Sequence, residues 1–171
     1  MKFIRLYSLI LTLFAALTAP ALNAADFGDE IDIGLILEPT ASHISGYLEV
    51  LAARKGVRSV AVAVPDKAML ENVKRQLGKR FHGNGYMSPK QMLEKVRPVL
   101  TIVTMEGVNA PEVIRMALEV GSHVLTEKPS CTKLGQFEQL AKLAEERKRH
   151  LMLAMATRSG AVSYTHLTLP T

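Results

Sequence analysis

Tryptophan is absent from the 171 residues, and cysteine occurs once, as Cys131. A lone cysteine excludes an intramolecular disulfide and a cysteine-rich zinc site, and no metal centre is expected. Aromatic residues make up only 5% of the chain, and the 21 Lys and Arg are scattered over the helices the sequence predicts. There is no basic groove interleaved with aromatics, which argues against a nucleic-acid partner. Long apolar runs are also scarce. The longest, Leu6 to Leu17, is too short for a comfortable membrane span. What remains is an ordinary 48% apolar content and a net charge of +5. The length suits one globular domain able to bury a core.

Residues 1–24 read as a secretory signal. Lys2 and Arg5 supply the positive start, Leu6 to Leu17 the apolar centre, and Pro20 to Ala24 the small-residue cleavage region. There is no twin arginine and no cysteine near the cut. The expectation is a periplasmic or secreted bacterial protein whose domain occupies residues 25–160. Residues 161–171, AVSYTHLTLPT, break from the preceding pattern and read as a non-native tail.

Between these ends the pattern alternates strand and helix. Ile31 to Leu37 and Arg58 to Val64 are nearly continuous apolar runs, as in strands covered on both faces. A helix from about Ser42 to Lys55 lies between them, with Gly56 as its C-cap. Asp66 is placed to cap an amphipathic helix to Arg80, with Ala68, Met69, Val73 and Leu77 on one face. His82 to Tyr86 is a turn-rich connector that could hold a short strand. Ser88-Pro89 opens a helix to about Val96. Then come a strand from Val99 to Met105, a helix from Ala110 to Val120, a short strand from His123 to Thr126, and a long helix from Lys133 to His150. Leu134, Phe137, Leu140, Ala141 and Ala144 mark the apolar side of that helix. Leu151 to Ala156 is a last strand. This order predicts an α/β fold, a doubly wound parallel sheet in three layers.

The stretch around which this pattern is arranged is Gly121 to Pro129, GSHVLTEKP. A carboxylate and an ammonium at the carboxyl end of a buried strand point into the crevice where such sheets bind ligands. Ala117-Leu118, Gly121, His123-Val124 and Glu127-Lys128-Pro129 together match the pattern ALxxGxHVxxEKP. On these residues the chain resembles the N-terminal domain of the glucose-fructose oxidoreductase / inositol dehydrogenase (Gfo/Idh/MocA) family over residues 30–158.

The resemblance implies a Rossmann domain with sheet order 3-2-1-4-5-6 that binds NAD or NADP, followed in the family by a second α+β domain absent from this chain. It implies a small sugar-like or polyol substrate, hydride transfer at a hydroxyl, and oligomers formed largely through the missing domain. Lys128 takes the catalytic role, stabilising charge on the substrate oxygen, with Glu127 orienting the cofactor or Lys128. Thr40 and Ser42 either cap the first helix or donate hydroxyls to a phosphate, and His43 either meets the ligand or points to solvent. In the loop after the Val99 to Met105 strand, Met105 and Glu106 approach the nicotinamide ribose. Asn109 is either a hydroxyl-binding amide or a helix cap. Arg158 lies near the cofactor or is a solvated charge. Two departures stand out. The turn after the first strand, Glu38 to His43, contains no glycine, and Val64 stands where an acidic residue would hold the ribose. The fragment is expected to bind nucleotide weakly and to turn nothing over alone. Two other readings stay open: a non-catalytic secreted protein that binds a sugar or a partner, and a Rossmann-like interaction domain with no small ligand.

Overall fold

A computed structural model describes residues 30–155; the segment read as a secretory signal, Arg158 and the segment read as a non-native tail lie outside them. Five strands form one parallel sheet: β1 (Ile31–Leu37), β2 (Val57–Ala63), β3 (Leu100–Thr104), β4 (His123–Thr126) and β5 (Leu151–Leu153), in the order β2-β1-β3-β4-β5. Beyond β2, Phe81 and Tyr86 form isolated parallel bridges to Val60 and Ala63. The predicted third strand is thus an edge segment held by two bridges, and the expected 3-2-1-4-5-6 order is kept.

The helices divide between the two faces because successive strand residues point to opposite sides. Ile33, Leu35 and Leu37 of β1 pack with Tyr47, Leu48 and Leu51 of α1 (Ile44–Ala53) and with Leu70, Val73 and Leu77 of α2 (Lys67–Leu77). On the other face Ile36, Val103 and Val124 meet α3 (Pro89–Val96), α4 (Ala110–Glu119) and α5 (Leu134–Glu146). Gly34 lies on this second side, where a β-carbon would stand 2.9 Å from both Met92 Cε and Pro98 Cγ. Only a residue without a side chain lets α3 sit that close to β1.

Several local expectations change. Asp66 caps α2 as predicted, accepting from Met69 N at 2.6 Å. Gly56 is not a C-cap, because α1 ends at Ala53 and the chain is already extended at Arg54. Ala68 is exposed, and Leu70 fills the core position instead. On α5, Leu140 and Ala144 are buried, whereas Leu134 and Ala141 face solvent. That helix stops at Glu146 rather than His150. The residues after it have specific partners: Arg149 Nε donates to Gly121 O, and His150 stacks on His123 with ring centroids 5.0 Å apart.

Candidate functional site

Three connections meet over the carboxyl edge of the sheet, where β1 and β3 lie side by side and the chain leaves them in opposite directions. This is the switch point at which open α/β sheets take their ligands. The connections are the turn 38–43, the loop 105–109 and the segment 127–131.

Glu127 follows β4 directly and is only 7% exposed. A buried carboxylate needs donors around it, and α1 supplies two. His43 is the N-cap residue of α1 and Tyr47 lies one turn on, its N–H donating to His43 O at 3.2 Å. Tyr47 Oη donates to Glu127 Oε1 at 2.8 Å, and His43 Nδ1 lies 3.2 Å from the same oxygen. Burial, with Glu127 alongside, pushes the Tyr47 phenol far above its ordinary range, so it stays a donor. The other oxygen, Oε2, accepts from the backbone N–H of Lys128 at 3.2 Å. The Lys128 side chain is exposed at the crevice edge, and the Lys128–Pro129 peptide is cis.

A second carboxylate, Glu38, follows β1 directly. Its Oε2 accepts from Glu106 N at 2.7 Å and its Oε1 from Asn109 Nδ2 at 2.6 Å. The loop 105–109 is gripped from its other side as well. A β-carbon on Gly107 would stand 2.8 Å from Pro129 O and 3.1 Å from Pro129 Cγ. Glu38 and Pro129 therefore hold this loop from the ends of two different strands.

Three of the six positions in the turn 38–43 offer no free backbone donor. Glu38 N donates to Thr104 O at 3.1 Å, Pro39 has no N–H, and Ala41 N donates to Glu38 O at 2.9 Å. Its left-handed position is His43, φ 63°, a conformation in which glycine is usual. Thr40 and Ser42 do not cap α1: His43 occupies the N-cap, and no side chain closes that end. Both hydroxyls, with the His43 ring, form an exposed lip.

The structure thus brings together Thr40, Ser42, His43, Glu106, Asn109, Glu127 and Lys128 around one crevice. Met105 turns away to pack against the core on the α3–α4–α5 side. Asn109 stands at the N-cap of α4 but makes no side-chain cap bond, its amide being engaged by Glu38. Val64 is fully buried and holds no ribose. Sequence reasoning gave Glu38 and Tyr47 no role. The signal for Tyr47 was its four-residue spacing from His43; that for Glu38 was a charge directly after the apolar run of β1. The hydroxyls of Thr40 and Ser42, the His43 ring, the Lys128 ammonium and the uncapped start of α1 are polar groups of the kind a dinucleotide would need here. Among the described residues no group of three or more His, Cys, Asp or Glu could hold a metal ion.

No curated protein sequence matches the chain. Among solved structures, scyllo-inositol dehydrogenase from Lactobacillus casei, with bound NAD(H) and scyllo-inositol, aligns with a TM-score of 0.67 at 18% identity over 81% of this chain. A 3-ketoreductase from Actinomadura kijaniata in complex with NADP aligns with a TM-score of 0.61 at 26% identity over 73%. The alignments span 40% and 38% of those proteins' own lengths. The first likeness is one of fold. The model of the oxidoreductase family with an NAD-binding Rossmann fold, Gfo/Idh/MocA, matches residues 33–155, and with the sheet order and the Glu127-Lys128-Pro129 crevice this chain belongs to that family.

Proposed function

We propose that the chain is the dinucleotide-binding part of an exported NAD(P)-dependent oxidoreductase acting on a sugar or polyol hydroxyl. The observation that carries this is Glu127-Lys128-Pro129 at the switch point, with Glu127 fixed from α1 and the Lys128 ammonium left exposed. When bound, the nicotinamide supplies the hydride chemistry. Thr40, Ser42 and His43 hold the phosphate-bearing middle of the cofactor. Lys128 stabilises negative charge growing on the substrate oxygen and orders its proton. Glu127 fixes the backbone from which Lys128 projects. The 26%-identical ketoreductase solved with NADP supports the cofactor class.

Calorimetric titration of the 171-residue chain with NAD(H) and NADP(H) tests the reading. Binding in the micromolar to millimolar range is expected, weakened in Thr40→Ala, with no turnover of scyllo-inositol by this chain alone. A folded chain that binds neither cofactor refutes it. That result would favour the second reading, a secreted protein that recognises a sugar or partner without catalysis. The engaged amides of the turn and the buried Val64 are the observations on its side.

A further inference from the structure

We propose that the amino edge of the sheet is a docking surface for an anionic phospholipid membrane, which holds the domain with its crevice turned away from the lipid. This surface lies at the opposite end of every strand from the crevice, so it stands apart from the dinucleotide-binding reading.

All five strands are parallel, so their amino ends share one edge, and the helices that return the chain finish there. Cations are favoured at the carboxyl ends of helices. The connections reaching this edge are accordingly basic. Lys55 lies before β2, Lys79 after α2, Arg97 before β3, and Arg147 and Lys148 before β5. All five are exposed, and none makes an ion pair among the described residues.

The carboxylates in these connections are already matched. Glu30 lies 3.6 Å from Arg80, Asp32 accepts from Arg58 Nε at 2.9 Å, and Glu119 meets Arg115 at 2.5 Å. The last turns of α2 and α3 add Lys74, Arg75 and Lys95. The last turn of α5 adds Glu145 and Glu146, the second of them 3.9 Å from Lys142. The surplus is positive. At the carboxyl edge the balance reverses. Residues 38–43, 64–66, 105–109 and 127–131 carry Glu38, Asp66, Glu106 and Glu127 against Lys128 as their one Lys or Arg. Charge is thus separated along the strand direction, and a negative surface turns the amino edge towards itself.

A membrane is favoured over a soluble polyanion by what leaves this edge. Glu30 enters β1 here, and the chain before it contains the longest apolar run, Leu6 to Leu17, with Lys2 and Arg5 ahead of it. The stretch 18–29 between them spans at most about 40 Å when extended. An apolar run held in a bilayer therefore brings this edge within reach of the headgroups. Val99, 44% exposed, adds an apolar group to the same edge. The chain beyond β5 continues from the carboxyl edge, so a bilayer at the amino edge obstructs neither it nor the crevice. Each Lys or Arg close to an anionic bilayer strengthens binding roughly fivefold, and salt screens the effect.

The test is co-sedimentation of the whole chain with vesicles of phosphatidylcholine alone and of phosphatidylcholine with an equal part of phosphatidylglycerol. Binding to the anionic vesicles should be roughly tenfold or more tighter at about 0.05 M salt, and the difference should vanish at about 0.5 M. Lys55→Glu with Arg147→Glu should remove most of it. Lys67→Glu with Lys133→Glu makes the same change in net charge beside the carboxyl edge and should leave binding within about twofold. Arg97→Asn with Lys148→Asn is a second amino-edge pair, because asparagine tolerates the left-handed backbone at both positions, and should weaken binding in the same direction. Circular dichroism checks that each variant is folded. Titration of the Lys55→Glu, Arg147→Glu variant with NAD(H) should match the parent chain, so this surface and the dinucleotide reading fail separately. Equal binding to both kinds of vesicle, equal weakening by the amino-edge and carboxyl-edge pairs, or capture on heparin with none on anionic vesicles overturns the proposal.

Discussion

Glu127 is a buried carboxylate whose donors come from α1 and from its own neighbour Lys128, and the value of each donor can be measured. Tyr47→Phe removes one hydroxyl and little volume. It leaves Glu127 Oε1 with the His43 ring alone. A loss of about 1–3 kcal/mol is expected, the cost of an under-satisfied buried acceptor, read as a lower urea midpoint with an unchanged slope. Gly107 offers a steric test. In Gly107→Ala the new methyl group meets Pro129 O at 2.8 Å, and that neighbour is backbone. A cost of about 1–3 kcal/mol follows from the forced shift of the loop, together with faster hydrogen exchange at the Glu106 amide. No loss in either measurement would mean that the loop moves freely against Pro129.

Beside the backbone ladder that pairs β4 with β5, one histidine side chain ties the two strands together. His150 N donates to His123 Nδ1 at 3.0 Å, so Nδ1 must be an acceptor and the ring neutral. Burial, with His150 and Arg149 nearby, lowers its pKa from about 6.5 to about 4. The unfolded chain therefore takes up a proton that the folded chain refuses between those values. Stability from this group is fully present above about pH 6.5 and declines as pH falls towards about 4, by up to about 3 kcal/mol at 1.36 kcal/mol per unit. Denaturant midpoints across this window test it: His123→Gln should flatten the slope, and an unaltered slope would sink the assignment. This residue also shows what the sequence discloses. The strand His123 to Thr126 was legible from its apolar run, but the acceptor role of its first residue was not, because the partner is 27 positions away and is a backbone group. The strand and helix order was legible because apolar periodicity reports local burial. The caps of α1 were not: a left-handed His43 is fixed by tertiary contacts to Glu127, which no local preference encodes. Glu38 escaped for the same reason, its partners lying 68 and 71 residues on.

The molecule's two apolar clusters lie on opposite faces of one sheet, and β1, β3 and β4 contribute to both. Neither face can melt without uncovering the strands that the other needs. A single cooperative transition is expected for the described domain, with far-ultraviolet circular dichroism and tyrosine fluorescence changing together. Separate transitions would mean that the helices α1 and α2 part from the sheet on their own. The tie between Glu38 and the loop 105–109 bears on how such a domain can be altered, by an engineer or by descent. Grafting a glycine-rich turn in place of residues 38–43 would remove the acceptor that receives the Glu106 amide and the Asn109 side chain, and would strip His43 from Glu127. The loop, retained unchanged, would be left with donors facing nothing. The turn and the loop are thus a single unit of exchange. A chain that acquires one without the other inherits a fault in the floor of its binding site.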